Sequence, residues 1–142
     1  MSKVDFYVLS ESGELARQRF ACRLAEKAYK LKNRVHICVS GPDVEQKLDD
    51  LLWTFRDGSF VPHELLGATA GEPEAPVTIG SGVTTQVDCD LLINLGEQLP
   101  AEAERFPRIA EVVSADDECR SMSRQRFVDY RAQGHTLDTH NL

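Results

Sequence analysis

Residues 90–96 read Asp-Leu-Leu-Ile-Asn-Leu-Gly, an almost continuous apolar run that opens on an acid and closes on a glycine. A strand with one wet face alternates; a run without alternation suits a strand covered on both faces, the environment of a parallel sheet. Outward from this run the chain repeats the pattern. Residues 4–10 (VDFYVLS), 34–40 (RVHICVS), 77–80 and 109–114 (IAEVVS) are expected as further strands. Between the first two, residues 13–32 form a helical pattern in which Leu15, Phe20, Leu24, Ala28 and Leu31 recur at helical intervals. A second helix opens at Gly41-Pro42-Asp43, where the missing proline N–H costs little, and runs to about Trp53. A short helix over 100–106 and a long one over 116–133 complete the set. Residues 60–63 (Phe-Val-Pro-His) are extended, and Pro62 keeps any strand there brief or at an edge. Residues 54–59 make a polar turn, and 67–76 and 80–88 are loops by composition. Strands alternating with helices imply an α/β fold. The expectation is a single Rossmann-like three-layer domain over residues 1–142, with a mostly parallel sheet and helices on both faces.

Composition narrows the class. At 42% hydrophobic and 27% charged, with six prolines and nine glycines, the chain is neither disordered nor collagen-like. It has no apolar run of the roughly 18–20 residues that a bilayer span needs. Its opening MSKVDFYVLS lacks the long apolar core of a secretory signal, so a cytoplasmic location without membrane association is expected. Cys22, Cys38, Cys89 and Cys119 include no CxxC pair and read as structural. His36, His63, His135 and His140 show no spacing that would place two ligands on one helical face, so neither metal nor cofactor is indicated.

A Rossmann-like pattern raises the possibility of a nucleotide-dependent enzyme. That chemistry needs glycines after the first strand, so that backbone N–H groups approach phosphate at a helix N-terminus. Here the turn is Ser10-Glu11-Ser12-Gly13-Glu14, with one glycine and two carboxylates where phosphate would sit. There is no Walker lysine motif and no GxSxG elbow near Ser10, Ser12 or Ser40. Gly80-Ser81-Gly82 is an isolated fragment, and Asp88 and Asp90 are best read as solvating a strand end. No catalytic residue is assigned.

Charge points elsewhere. The formal net charge of −7 argues against a direct nucleic-acid binder. Between Arg120 and Arg131, however, four arginines face one acid, Asp129, a local +3. A small basic island on an acidic chain suits a short acidic ligand. At about 100° per residue, Arg120, Arg124 and Arg131 border a stripe holding Cys119, Met122, Phe127 and Tyr130. Arg126 falls inside that stripe and must snorkel or meet a carboxylate. A second dense region, residues 51–66, holds the only tryptophan among large apolar residues on a turn, a composition typical of binding hot spots.

These two regions and the opening strand resemble the chi subunit family of bacterial DNA polymerase III holoenzyme. The matching pieces are DFYVLS (5–10), LDDLLWTFRDGSFVPHELLG (48–67) and RQRFVDYRAQGHTLDT (124–139), in the family's order. The resemblance implies a non-enzymatic accessory of the clamp loader. It implies that one surface binds the psi subunit and another the acidic C-terminal tail of single-stranded DNA-binding protein, with no strong direct binding of nucleic acid. The partner-facing residues would be Trp53, Phe60, Pro62 and Leu65. The tail site would hold Arg120, Arg124 and Arg131, with Phe127 and Val128 where the family carries Tyr and Lys. The implied location is cytoplasmic, at replication forks on the nucleoid.

Overall fold

The computed structural model describes residues 2–58, 60–65, 75–81, 88–100 and 103–142. Its strands are β1 (Lys3–Val8), β2 (Val35–Val39), β3 (His63–Leu65), β4 (Val77–Ser81), β5 (Leu91–Asn94), β6 (Arg108–Val113) and β7 (Thr136–Asn141). The helices are α1 (Glu14–Lys30), α2 (Pro42–Thr54) and α3 (Asp117–Ala132), with a 3-10 turn at Ala103–Arg105. All seven strands join one sheet in the order β3-β4-β2-β5-β6-β1-β7, every pair parallel.

The apolar run that suggested a doubly covered strand is β5, the central strand, buried along its whole length. Leu91 and Ile93 join Val35, Ile37, Val39, Val77 and Ile79 in the core under α1 and α2. Leu92 points the other way, into a second core with Val4, Phe6, Ile109, Val113 and Tyr130 of α3. Alternation therefore survives in direction but not in polarity.

The large apolar series expected to seat α1 on the sheet does not do so. Ala21, Cys22, Ala25 and Ala28 are the sheet-facing residues. Leu15 and Leu31 are 52% and 67% exposed, and Phe20 and Leu24 lie half-buried at the flank. Strands already carrying Val, Ile and Leu leave room only for small side chains beneath a close helix, and the bulky ones are displaced sideways. At its end, Lys32 adopts φ 65°, with Lys32 N–H donating to Tyr29 O and Asn33 N–H to Ala28 O. This closes the helix in a Schellman pattern with lysine where glycine is usual.

Both sheet edges depart from the sequence reading. β3 starts at His63, so the extended piece 60–63 leads into the strand rather than forming it; the strand is three residues long at the edge, as Pro62 demands. β7 was not anticipated at all. Thr136–Asn141 pair in parallel with the whole of β1, and only Leu137 packs into the core. The expected helix over 100–106 shrinks to the 3-10 turn, with residues 101–102 outside the described residues. Most of the loops expected over 67–76 and 80–88, Gly82 included, likewise lie outside the described residues.

One buried polar network ties α3 to the sheet. Arg126 Nη1 donates to Glu111 Oε1 at 2.7 Å, and Tyr130 Oη and Asn94 Nδ2 donate to Glu111 Oε2 at 2.6 and 2.8 Å. Arg126 Nη2 reaches the Gly96 carbonyl at 2.8 Å. Arg126 thus meets a carboxylate, the second of the two outcomes that its place in the apolar stripe allowed. Burial and the adjacent Glu111 charge push the Tyr130 phenol far above its ordinary pKa.

Candidate functional site

β1 and β6 are neighbours whose following helices pack on opposite faces of the sheet. The crevice between two such helices is where doubly wound folds bind nucleotides. Here it is occupied by the chain's own carboxylate. Asp116 Oδ2 accepts the Gly13 N–H at 2.8 Å and the Ser114 hydroxyl at 2.7 Å, and these bonds hold its carboxyl below its ordinary pKa. Glu14, expected from the sequence to block this position together with Glu11, also lines the crevice and pairs there with Arg17 at 2.7 Å. Glu97 and Glu118 line the same crevice, so an incoming phosphate would face like charge as well as a taken donor.

The other chemistry-bearing side chains serve the fold. Burial pushes the Cys22, Cys38 and Cys89 thiols up to about 12, 11 and 12, leaving them protonated at neutral pH. Asp90 Oδ2 accepts the Arg34 N–H at 2.7 Å, fastening a strand end rather than merely solvating it. No group of three His, Cys, Asp or Glu residues close enough to hold a metal occurs among the described residues.

Two surfaces remain. At one sheet edge, Trp53 of α2 and Phe60 are 54% and 62% exposed, with ring centroids 5.6 Å apart. His63 supports them, its ring 4.8 Å from Trp53 and its Nε2 3.1 Å from Asp49. Val61 is buried between these groups in the chain and anchors the segment, while Pro62 and Leu65 are half-buried beside it. Trp53 is therefore no cap on the core: a tilted aromatic pair stands in solvent on an anchored turn. Ser59 and Leu66 lie outside the described residues.

The other surface is a groove of about 270 Å³ between α3 and β1–β7. Arg120, Arg124 and Phe127 line one side, Phe6, Val8 and Val113 the floor, and Thr139 and Asn141 of β7 the far wall. Phe127 packs on Phe6 at 5.5 Å, and the Arg131 guanidinium lies over the Phe127 ring at 5.6 Å. The structure thus brings Arg120, Arg124, Phe127 and Arg131 together. Val128 is exposed on the helix and outside the groove lining.

A family model described as DNA polymerase III chi subunit, HolC, matches residues 1–138. The chain belongs to this family. Curated chi relatives align along nearly its whole length. DNA polymerase III subunit chi of Pseudomonas aeruginosa is 39% identical, covering 100% of this chain and 98% of its own. That of Haemophilus influenzae is 32% identical over 97% and 96%, and that of Escherichia coli 28% over 98% and 97%. Within this chi-family fold, the residues that sequence reasoning missed are the groove's floor and far wall. Phe6, Val8 and Val113 are ordinary strand residues, and Thr139 and Asn141 fall on the unanticipated β7. The only signal for that wall was the polar alternation of TLDTHN, which by itself resembles a tail.

Proposed function

We propose that this chi-family protein is a non-catalytic accessory subunit of the clamp loader. Through psi, it couples the loader to the acidic C-terminal tail of single-stranded DNA-binding protein during replication, in the cytoplasm at the fork. The observation that carries the reading is the α3 groove. Two exposed guanidinium groups, Arg120 and Arg124, stand at the mouth of a small apolar recess floored by Phe6, Val8 and Val113 and walled by Phe127. A chain end rich in aspartate and closed by an aromatic residue matches it in charge and shape. The Trp53–Phe60 pair, with Pro62 and Leu65, supplies a separate apolar surface for psi.

Well-placed carboxylate–guanidinium bonds contribute roughly 1.5–3 kcal/mol each, and burying the terminal ring about 1.5–3 kcal/mol. Ordering the peptide offsets much of that sum, leaving micromolar affinity, about −8 kcal/mol. The charged part weakens with salt because the arginines are exposed. A synthetic peptide with several aspartates and a C-terminal phenylalanine, titrated at low and high salt, tests this. Arg120→Ala/Arg124→Ala should lower both affinity and salt dependence. Removing the terminal phenylalanine should lower affinity and keep most of the salt slope. Equal binding by the wild type and the double arginine variant at low salt would refute the tail site.

A further inference from the structure

The most basic stretch of the chain is not α3. Residues 15–34 carry seven lysines and arginines against the single acid Glu26, a net +6 in a chain of −7, so everything else sums to −13. This stretch is α1 and its C-terminal turn. α1 lies over β2, β5 and β6, and its Phe20 packs on Tyr7 of β1 at 5.2 Å. A cavity of about 830 Å³ opens beside Tyr7, Phe20, Leu24 and Leu142. A second cavity of about 320 Å³ shares Tyr7, Leu24 and Lys27 with it and continues past Leu31 to Arg108, so the two form one groove along α1.

The bulky residues displaced from the sheet-facing side of α1 find their use here. Phe20, Leu24, Lys27 and Leu31 follow at i, i+4, i+7 and i+11, a single helical stripe that lines this groove. Arg19, Arg23 and Lys27 are exposed in the same lining and, among the described residues, take part in no ion pair; Glu11 is the acid at one end and Asp90 at the other.

We propose that this groove is a second docking site, and that its occupant is an acidic amphipathic helix of a protein partner. Charge complementarity selects acid, and the apolar stripe selects a ligand with its own apolar face at helical spacing. A nucleic-acid strand fits less well. The ring faces on which bases would stack are taken, since Tyr7 stacks on His140 at 4.9 Å and packs on Phe20 at 5.2 Å, while Arg23 covers Phe20. A long phosphate chain would also run onto the acidic remainder of the molecule.

The probe is a synthetic helical peptide of about four turns, with leucines on one face and glutamates on the others, titrated into the full chain while backbone amide shifts are followed. Saturable shifts should map to α1, β1 and β7, and replacing every glutamate by glutamine should weaken binding at least about tenfold. Arg19→Gln/Arg23→Gln/Lys27→Gln, all surface positions, should remove that preference with an unchanged melting temperature. Arg120→Ala/Arg124→Ala should keep it, because the α3 groove lies on the opposite face of the sheet. Each of four results would overturn the proposal: no saturable binding, equal binding of the glutamine peptide, shifts centred on Arg124 and Phe127, or tighter binding of oligothymidylate along α1. None of these results refutes the tail site, which is tested with a different peptide ending in phenylalanine.

Discussion

His36 has no accessible surface on β2, with its Nδ1 2.7 Å from Thr78 Oγ1, and burial lowers its pKa to about 4. The unfolded chain titrates the same imidazole near its ordinary value of about 6.5. Between those values the unfolded state binds a proton that the native state refuses. His36 should therefore leave stability unchanged above about pH 6.5 and lower it by roughly 3 kcal/mol as the pH drops toward 4. Urea midpoints at pH 7.5 and 4.5 measure the fall, and His36→Gln should flatten it; an equally steep fall in that variant would assign the loss to other groups. Sequence alone left His36 without a role, because its strand pattern says that it is covered but not by what. Arg126 was more legible. A guanidinium inside an apolar helical stripe must snorkel or meet a carboxylate, and the sheet supplies Glu111 at 2.7 Å. Which acid it would be was hidden, since pairing α3 with β6 is a tertiary fact that no local pattern encodes.

Among the elements, α1 shows how a period can be read correctly and its face wrongly. Its apolar residues recur at helical spacing, yet the sheet takes Ala21, Ala25 and Ala28 and leaves Phe20, Leu24 and Leu31 at the groove. Hydrophobicity ranks leucine above alanine, whereas close helix–sheet approach ranks them the other way. The end of this helix carries a correctable strain. Lys32 holds φ 65°, which costs a residue with a Cβ roughly 1–2 kcal/mol, while glycine's greater freedom in the unfolded chain returns part of any gain. Lys32→Gly should raise unfolding stability by about 0.5–1 kcal/mol, against little change for Lys32→Ala. Urea denaturation of the two variants decides it; glycine no better than alanine would mean that the turn relaxes. β7 failed to register for a different reason. An edge strand exposed on most of its length needs no apolar alternation, so TLDTHN carries polarity that protects an edge and conceals a strand.

For the molecule as a whole, the α/β class and parallel sheet were legible, because they follow from runs such as residues 90–96. Strand order was not: crossover lengths do not say which neighbour a strand joins. Order matters, since it separates the two surfaces proposed for partners. Trp53 and Phe60 stand beside β3 at one edge, and the α3 groove closes on β7 at the other, six strand spacings away. At 4.7–4.9 Å per spacing that is roughly 29 Å across the sheet. They also share no side chain: the Trp53 segment packs under α2 in one core, the groove under α3 in the other. Substitutions this far apart, without common partners, add within about 0.3–0.5 kcal/mol. Phe60→Ala should therefore weaken binding of psi by more than about 2 kcal/mol, as a hot-spot truncation does, and leave the acidic-tail peptide's affinity unchanged. Arg124→Ala should do the reverse. Because Phe60 is 62% exposed, the isolated protein should keep its stability in that variant. Calorimetric titration of both ligands against the wild type, each single variant and the double variant gives the coupling directly. A coupling energy above about 1 kcal/mol would show that the sheet transmits occupancy from one edge to the other, and the two surfaces would then have to be treated as one linked site.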